Sequence, residues 1–438
     1  MQSNNYKYVD MKSKIISIFL LTVSSVWLST AFAQRQYTLD ECIKEAMINN
    51  VQIKNATNEL TASRHERSEA FTKYFPSLSA AGGGFIADKG LINMSLTPEM
   101  GMSLMKNGVV GGVSASIPLF TGGQIVNSNR LAEVGVEVGR LNLRQSENEV
   151  KLTTQSYFWQ VVVMKEKLCT LSVVEEQLNS LRKDVQSSVD AGLTTRNDLL
   201  QVQLRQNEIR STRIQIENML HHFKRTLAQY IGHTGDSIDV DFTVKIELPE
   251  KPDRIYVLPS ASLGRTVEYG LLQRNVEANR LQRRLAVGKN LPTVAVGGGY
   301  MYDNLMDRDH SFWMGFATVS IPLSGWWSGS HDIKKQELRL QNAENQLTDQ
   351  SQLLILRMLR AWDNVTDAYQ QVGIAKESIM QASENLRLFT DYYAAGTCNM
   401  SELLDAQTLY RQSRDKFVES YTQYEIKKSE YLLATGQW

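Results

Sequence analysis

The chain has 438 residues, of which 42% are hydrophobic, 21% are charged and only 8 are proline, a composition typical of a folded protein. Lys plus Arg and Asp plus Glu number 47 each, so no excess positive charge points to nucleic acid as a partner. The 3 cysteines lack the spacing of a zinc site or a disulfide framework, and only one apolar run approaches membrane length, which excludes a polytopic helical membrane protein.

The N-terminus has the pattern of an export signal. Lys12 and Lys14 precede an apolar stretch over 15–28, and the sequence A-F-A follows shortly after it. A basic start, an apolar core and an A-x-A site predict a signal peptide over 1–33, with Met11 as a second candidate start. The alternative is an uncleaved anchor helix, for which the apolar run is short. The sequence therefore predicts an exported protein.

After the signal peptide, the sequence pattern changes from helical to extended and back, twice over. The first repeat, 34–232, is predicted to contain a helical segment at 38–75, a β-hairpin at 77–120, a very long helix at 123–190 and a further helix at 194–232. A linker at 233–257, rich in Asp, Pro and β-branched residues, joins the repeats. The second repeat, 258–438, is predicted to contain a helix at 258–290, a β-hairpin at 293–323, a very long helix at 326–394 and a further helix at 398–434.

Short motifs recur in the two repeats and identify an internal duplication. The sequence S-I-P-L occurs at 116–119 and at 320–323. An A-G pair that precedes an acidic residue and two leucines occurs at 191–200 and at 395–404, at the same distance from the first motif. Each repeat is therefore expected to form the same structural unit.

The very long helices carry apolar residues at three- and four-residue spacing, which is typical of coiled coils. No proline interrupts 123–232 or 326–438, although polar residues such as Glu175 and Arg213 break the apolar stripes. Such a helix would be roughly 100 Å long at about 1.5 Å per residue. Because the stripes are narrow, one face of each helix is expected to meet water over most of its length.

The extended segments alternate like membrane strands. In 293–304, Val294, Val296, Tyr300 and Tyr302 share one face, and threonine, alanine and glycine occupy the other. A tilted membrane strand needs about 9–11 residues, which this segment provides. The last strand is less regular because both its faces are apolar at one end, where its residues are Phe312, Trp313, Met314 and Phe316.

The first hairpin is predicted to pair 77–87 with 108–120 across a long loop. Four strands cannot close a membrane barrel within one chain, since about eight is the practical minimum. Unpaired strand edges are not tolerated in lipid. A membrane interpretation therefore requires several protomers to complete one barrel.

The ordered set of motifs resembles the TolC-like outer-membrane efflux proteins, also called outer membrane factors. The matching pieces are Y-T-L-D-E-C at 37–42, F-P-S-L at 75–78, I-P-L-F-T-G-G at 117–123, A-G-L-T at 191–194, D-L-L at 198–200 and L-L-D-A-Q at 403–407. The resemblance implies a mainly α fold with a small membrane β-barrel portion, in which the duplicated unit builds a long coiled-coil-like α-helical barrel. It also implies a homotrimer that completes a twelve-strand barrel, with 233–257 in an equatorial region.

The family resemblance implies a passive, gated channel from periplasm to exterior, the exit duct of a tripartite efflux or type I secretion system. Its implied place is the outer membrane of a Gram-negative bacterium, with a long periplasmic extension. Its implied partners are a periplasmic adaptor protein, an inner-membrane pump and outer-membrane lipid, and no nucleic acid. No H-E-x-x-H, phosphate-loop or G-x-S-x-G motif occurs, so we expect no enzyme activity, no metal and no cofactor.

The turns after the two long helices are implied to be periplasmic tips that contact the adaptor. Gly192 and Gly396 suit a helix C-terminus that needs a left-handed residue, and they would be ordinary caps if no partner docks there. The tip residues are Ala191, Gly192, Leu193 and Thr194 in the first repeat and Ala395, Gly396, Thr397 and Cys398 in the second.

The resemblance places the periplasmic aperture at Glu402, Asp405, Tyr393 and Asp198. Glu402 and Asp405 share a helix face, and a threefold ring of these carboxylates would favour cations and could bind a divalent metal. The alternative is a solvated helix start. Tyr393 matches an aromatic constriction, and Asp198 matches a position that helps to lock the closed state. The usual Arg partner of that position is replaced by Cys398, so closure must rest on other contacts.

Two other functions stay open at this point. A coiled-coil envelope protein without a pore would leave the aromatic, glycine-rich hairpins unexplained. A periplasmic adaptor of an efflux pump normally carries one helical hairpin within lipoyl-like and barrel domains, whereas this chain has two equivalent copies. The duplication therefore favours the exit duct over both.

Overall fold

The computed structural model describes residues 36–89, 92–97, 100–233, 238–305, 308–323 and 325–438, without the side chains of 93–104 and 325–326. The predicted signal peptide lies outside the described residues. Across the described chain, no helix combines the length and the apolar character that a membrane span requires.

The order of helix, hairpin, long helix and helix occurs twice, as predicted. The first repeat contains β1 (Gln36–Tyr37), α1 (Leu39–Asn49), α2 (Val51–Thr72), β2 (Ser77–Ile86), β3 (Ile92–Thr97), β4 (Met100–Leu104), β5 (Asn107–Phe120), α3 (Gln124–Asp190) and α4 (Arg196–Tyr230). The linker contains β6 (Asp239–Val240) and a 3-10 turn (Pro252–Ile255). The second repeat contains α5 (Pro259–Ser262), a 3-10 turn (Leu263–Arg265), α6 (Val267–Lys289), β7 (Thr293–Asn304), β8 (His310–Ser320), α7 (Gly325–Ala394) and α8 (Met400–Ala434).

Two features of the first repeat differ from the sequence prediction. The predicted loop between β2 and β5 contains a second antiparallel pair, β3 and β4, in which Ile92 lies opposite Leu104. The predicted helical segment 38–75 is broken at Asn50, whose side-chain oxygen accepts a hydrogen bond from the Gln52 N–H at 2.8 Å. An asparagine N-cap favours the start of a new helix because its side chain satisfies a backbone N–H in the first turn of that helix.

The two hairpins join into one antiparallel sheet with the strand order β2-β5-β7-β8. The register gives the sheet two chemically different faces, because successive residues point to opposite sides. The apolar face carries Leu78, Ile86, Val113, Ile117, Val296, Tyr300, Trp313 and Val319. The polar face carries Ser77, Ser79, Ser114, Ser116, Thr293, Thr318 and Ser320.

Two hydroxyl pairs tie β2 to β5 on the polar face. The Ser77 and Ser116 hydroxyl oxygens are 2.9 Å apart, and those of Ser79 and Ser114 are 3.0 Å apart. Within the described sheet, β2 and β8 are the two edge strands. An edge strand exposes a row of backbone donors and acceptors with which a further strand could pair.

The chain divides into two compact units, each with its own packing. The sheet unit comprises 47–153, 246–381 and 419–438, and the tip unit comprises the described residues of 36–46, 154–245 and 382–418. In the sheet unit, α8 holds the end of the linker through tyrosines. The Tyr424 hydroxyl donates to the Glu250 carbonyl at 2.5 Å, and the Tyr431 hydroxyl accepts from the Val257 N–H at 3.0 Å.

The core of the tip unit is the seam of α3 and α4. Each fully buried leucine, isoleucine or valine side chain stabilises the fold by about 1.5–3 kcal/mol relative to leaving it exposed. The buried residues of this seam include Leu171, Leu178, Val185, Val202 and Ile209. These residues belong to the apolar stripes that the sequence predicts.

The polar interruptions of those stripes pair with one another across the seam. Arg213 Nη1 lies 2.5 Å from Glu175 Oε2, and the Gln206 side-chain amide donates to Asn179 at 2.8 Å. Polar residues within a coiled-coil seam fix the register of its helices. The interruptions therefore align α3 with α4.

The start of the linker is bound to the same pair of helices by ion pairs. The Asp239 carboxylate lies 3.2 Å from Lys165 Nζ and 3.0 Å from Lys224 Nζ. Burial raises the pKa of Asp239, but the hydrogen bonds from the lysines and from the Val240 N–H outweigh burial and hold the pKa below its usual range. The Val244 N–H donates to Glu166 Oε1 at 2.9 Å and continues the attachment.

Candidate functional site

The first tip is built by a glycine in the left-handed region. Gly192 has a φ of +72°, its N–H donates to the Val189 carbonyl at 3.0 Å, and the Leu193 N–H donates to the Ser188 carbonyl at 2.8 Å. This is the hydrogen-bond pattern of a Schellman motif, which ends a helix by satisfying its last carbonyls.

The second tip repeats this backbone. Gly396 has a φ of +69°, its N–H donates to the Tyr393 carbonyl at 3.0 Å, and the Thr397 N–H donates to the Tyr392 carbonyl at 2.9 Å. The predicted left-handed conformation of both glycines is confirmed. A Cβ added at either glycine would meet no atom within 4 Å, so the backbone conformation alone selects glycine here.

Most tip residues are open to solvent. Leu193 has 82% of its surface exposed. Thr194 and Cys398 occupy equivalent positions in the two tips and are both half-buried. The other exposed tip residues are Ala191, Gly192, Ala395, Gly396 and Thr397.

Three predicted residues meet next to the first tip. The Thr194 hydroxyl donates to the Asp198 carboxylate, and the Asp198 N–H donates to the N-cap hydroxyl of Thr195 at 3.3 Å. Burial and then the charge of Asp198 raise the pKa of Tyr393 above its usual value of 10.0, and a hydrogen bond with Thr194 offsets part of the rise. The two aperture residues of different repeats are therefore linked through Thr194.

The linking role of Thr194 is missing from the sequence analysis, which treats this residue only as part of the tip surface. The available signal was its position four residues before Asp198, directly ahead of an N-cap threonine. Hydroxyl side chains at such positions bond to nearby acceptors in turns.

Cys398 occupies the position at which the TolC-like family usually has arginine. Its side chain turns toward the preceding helix, α7. Its thiol donates to the Phe389 carbonyl at 3.6 Å. Burial and then the charge of Glu402 raise the pKa of the Cys398 thiol. The thiol is therefore held protonated and supplies no positive charge to the tip.

Glu402 takes part in a capping box at the start of α8. The Asn399 N–H donates to Glu402 Oε2 at 2.9 Å, and the Glu402 N–H donates to Asn399 Oδ1 at 3.0 Å. Asp405 follows on the same exposed side of the helix. Glu402 thus has a structural role within one chain, which the sequence N-x-x-E could have signalled. Among the described residues, no group of three or more His, Cys, Asp or Glu is arranged to hold a metal ion.

The comparisons with known proteins agree with this architecture. The family model described as "Outer membrane efflux protein" matches residues 42–233 and 272–437. The chain belongs to the outer membrane efflux protein family. The protein is therefore an outer-membrane channel of an efflux system, and the family consists of channel proteins rather than enzymes.

Solved structures share the fold at low sequence identity. The chain is similar to CusC, with 14% identity, a TM-score of 0.78 and coverage of 92% of this chain and 93% of that one. VceC from Vibrio cholerae gives 14% identity, a TM-score of 0.74 and coverage of 91% and 96%. The open-state MtrE channel of Neisseria gonorrhoeae gives 14% identity, a TM-score of 0.73 and coverage of 91% of this chain and 88% of that one. Comparison with curated protein sequences gives no match.

Proposed function

We propose that three copies of this chain form the passive, gated exit duct of a tripartite efflux or type I secretion system. The duct would stand in the outer membrane of a Gram-negative bacterium and extend into the periplasm. An inner-membrane pump would supply the energy, and a periplasmic adaptor would join the pump to the duct.

The observation that carries this proposal is the two-faced, open-edged sheet. Its apolar face suits lipid, and its polar face, with the serine pairs of β2 and β5, suits an aqueous lumen. One sheet supplies four strands and two free edges, so β8 of one protomer would pair with β2 of the next. Three sheets then close a barrel of twelve strands.

The aperture of the proposed duct would be held by the contact of Asp198, Thr194 and Tyr393. This contact would fasten the end of α7 to the start of α4 without the arginine that Cys398 replaces. Glu402 and Asp405 would form the carboxylate ring after threefold repetition. The second oxygen of Glu402 remains available for that role, since only Oε2 receives the capping hydrogen bond.

The adaptor would dock on the exposed tips. Leu193 offers an apolar anchor, and burying such a side chain at a contact contributes about 1.5–3 kcal/mol. The small residues Ala191, Gly192, Ala395 and Gly396 let a partner backbone approach closely.

Planar-bilayer conductance of the purified, detergent-solubilised trimer tests the proposal. The wild type is compared with the double variant Glu402→Gln/Asp405→Asn, each with and without a divalent cation. Glutamine at the third helical position keeps a capping box, so the variant removes charge without removing the cap. We expect cation-selective channels that divalent cations block in the wild type only.

The matched control is Glu208→Gln, which removes an exposed carboxylate on α4 far along the helix from its first turn. If divalent cations block the wild type and the double variant equally, the result supports the duct and contradicts the carboxylate ring. Folded trimers that form no channels would contradict the duct itself.

A further inference from the structure

The stretch of β8 from Phe312 to Phe316 is apolar on both faces, and contact with lipid would explain only one of those faces. Trp313 and Val319 lie on the apolar face and are 80% and 63% exposed. Phe312, Met314 and Phe316 lie on the polar face, among serines, threonines and glycines.

These side chains form one patch with a residue of the neighbouring strand. Phe312 lies directly opposite Met301, and Met314 and Phe316 lie opposite Gly299 and Gly297. Opposite residues in an antiparallel pair have Cβ atoms about 4.5–5.5 Å apart. The lumen patch is defined here as Met301, Phe312, Met314 and Phe316.

Glycines on the neighbouring strands let the patch lie flat against the sheet. A Cβ added at Gly297 would lie 2.5 Å from Phe316 Cζ, and one added at Gly112 would lie 2.5 Å from Met301 Sδ. The Phe316 ring therefore covers Gly297 instead of projecting away from the sheet. Phe312 and Phe316 keep 38% of their surface exposed and Met314 keeps 44%, so the patch is an accessible surface.

Polar side chains border the lumen patch at both ends of the strands. Toward the β7–β8 turn, His310 Nδ1 lies 3.6 Å from Asp303 Oδ2, and both residues are on the polar face. Toward the helices, Thr318 and Ser320 continue that face. Exposed apolar patches with a polar border are typical of interaction and ligand-binding surfaces.

We propose that the lumen patch binds aromatic, apolar solutes, and aromatic cations in particular, as they leave through the barrel. This inference rests on the proposed threefold duct, which repeats the patch three times around the lumen. Phenylalanine rings attract aromatic groups and cations to their faces, and methionine sulfur contacts aromatic rings favourably. The patch thereby assigns a substrate class to the duct.

The test is block of the bilayer current by tetraphenylphosphonium added on the barrel side, with tetraethylammonium as the non-aromatic cation. The wild type is compared with Phe312→Ser/Met314→Ser/Phe316→Ser. We expect the half-blocking concentration of tetraphenylphosphonium to rise about tenfold in the triple variant. Tetraethylammonium should act equally on both proteins.

The matched control is Trp313→Ser/Val319→Ser, which alters the apolar face of the same strand and should leave the block unchanged. If the triple variant fails to assemble, Phe312→Leu/Phe316→Leu keeps the apolar bulk and removes only the rings, and it should still weaken the block. An unchanged block in an assembled variant overturns the lumen patch. Loss of block in Glu402→Gln/Asp405→Asn alone would place the site at the aperture and overturn it as well. Absence of channels in the wild type would count against the duct instead.

Discussion

The two tips have the same backbone and different side-chain contacts. Both end a long helix with a left-handed glycine and a Schellman motif, and both start the next helix with a polar N-cap, Thr195 or Asn399. At the first tip, the carboxylate of Asp198 is engaged by Thr194 and linked to Tyr393 of the other repeat. At the second tip, Glu402 is engaged by the start of its own helix.

This difference shows which part of a duplicated structure is free to diverge. The backbone of a tip depends on one glycine and one cap, so both copies keep it. The acidic residue at the third helical position has no such constraint. A short Asp reaches a neighbouring hydroxyl, whereas a longer Glu reaches back to the N-cap N–H. One tip can thus hold the repeats together while the other stabilises its own helix.

The largest expected effect tests the shared backbone. Gly192→Ala and Gly396→Ala should each destabilise the protein by about 1–2 kcal/mol, because alanine is strained at a positive φ. Denaturant unfolding followed by tryptophan fluorescence measures both. The matched control is Gly373→Ala within α7, where a Cβ meets no atom within 4 Å and no positive φ is required, and it should stabilise by about 0.5–1 kcal/mol. Clearly unequal losses at the two tips would show that their backbones are not equivalent.

The second prediction separates the cap of Glu402 from its charge. Glu402→Ala should cost about 1 kcal/mol, because it removes one side of the capping box, and Glu402→Gln should cost much less. The same unfolding assay compares the two variants. Equal losses in both would mean that the carboxylate charge, and not the capping hydrogen bond, stabilises the start of α8.

The third prediction concerns the contact between the repeats. Asp198→Asn should lower the pKa of Tyr393, because it removes the negative charge that helps to raise it. Since the folded-state pKa is raised, the stability contributed by Tyr393 is complete below about pH 10 and is lost as pH rises through the folded-state value. In the variant the loss should begin at the same pH, set by the unfolded chain, but it should be smaller and should end at lower pH.

Ultraviolet absorbance titration of the wild type, Asp198→Asn and Tyr393→Phe measures this shift, with the phenylalanine variant assigning the Tyr393 signal. An unchanged Tyr393 pKa in Asp198→Asn would show that Asp198 and Tyr393 do not interact electrostatically.

The smallest effect is expected at Cys398. Cys398→Ser keeps a donor for the Phe389 carbonyl and should change the free energy of unfolding by no more than about 0.5 kcal/mol.

At the equivalent position of the first tip, Thr194→Val should weaken the contact of Asp198 with Tyr393 and should raise channel conductance. Bilayer recordings of both variants make the comparison, and a larger conductance change in Cys398→Ser would reverse the assignment of the lock to the first tip.

The sequence predicts most of the elements because local signals set their ends. The long helices are predicted at 123–190 and 326–394 and observed at Gln124–Asp190 and Gly325–Ala394. Both are free of proline and end just before a glycine that the C-cap requires. The pair β3 and β4 was missed, because a short alternation within a long loop is a weak signal until its partner strand is known.

The sequence by itself determined the duplicated unit, the positions of the strands and long helices, the tip glycines and the family, because helix periodicity, strand alternation and caps act over a few neighbouring residues. Only the tertiary structure decided that Thr194 joins Asp198 to Tyr393, that Glu175 pairs with Arg213, and that Phe316 lies over Gly297. Each of these contacts joins residues of different elements, or depends on where a side chain turns. These contacts could therefore be identified only once the register of the helices and the pairing of the strands were known.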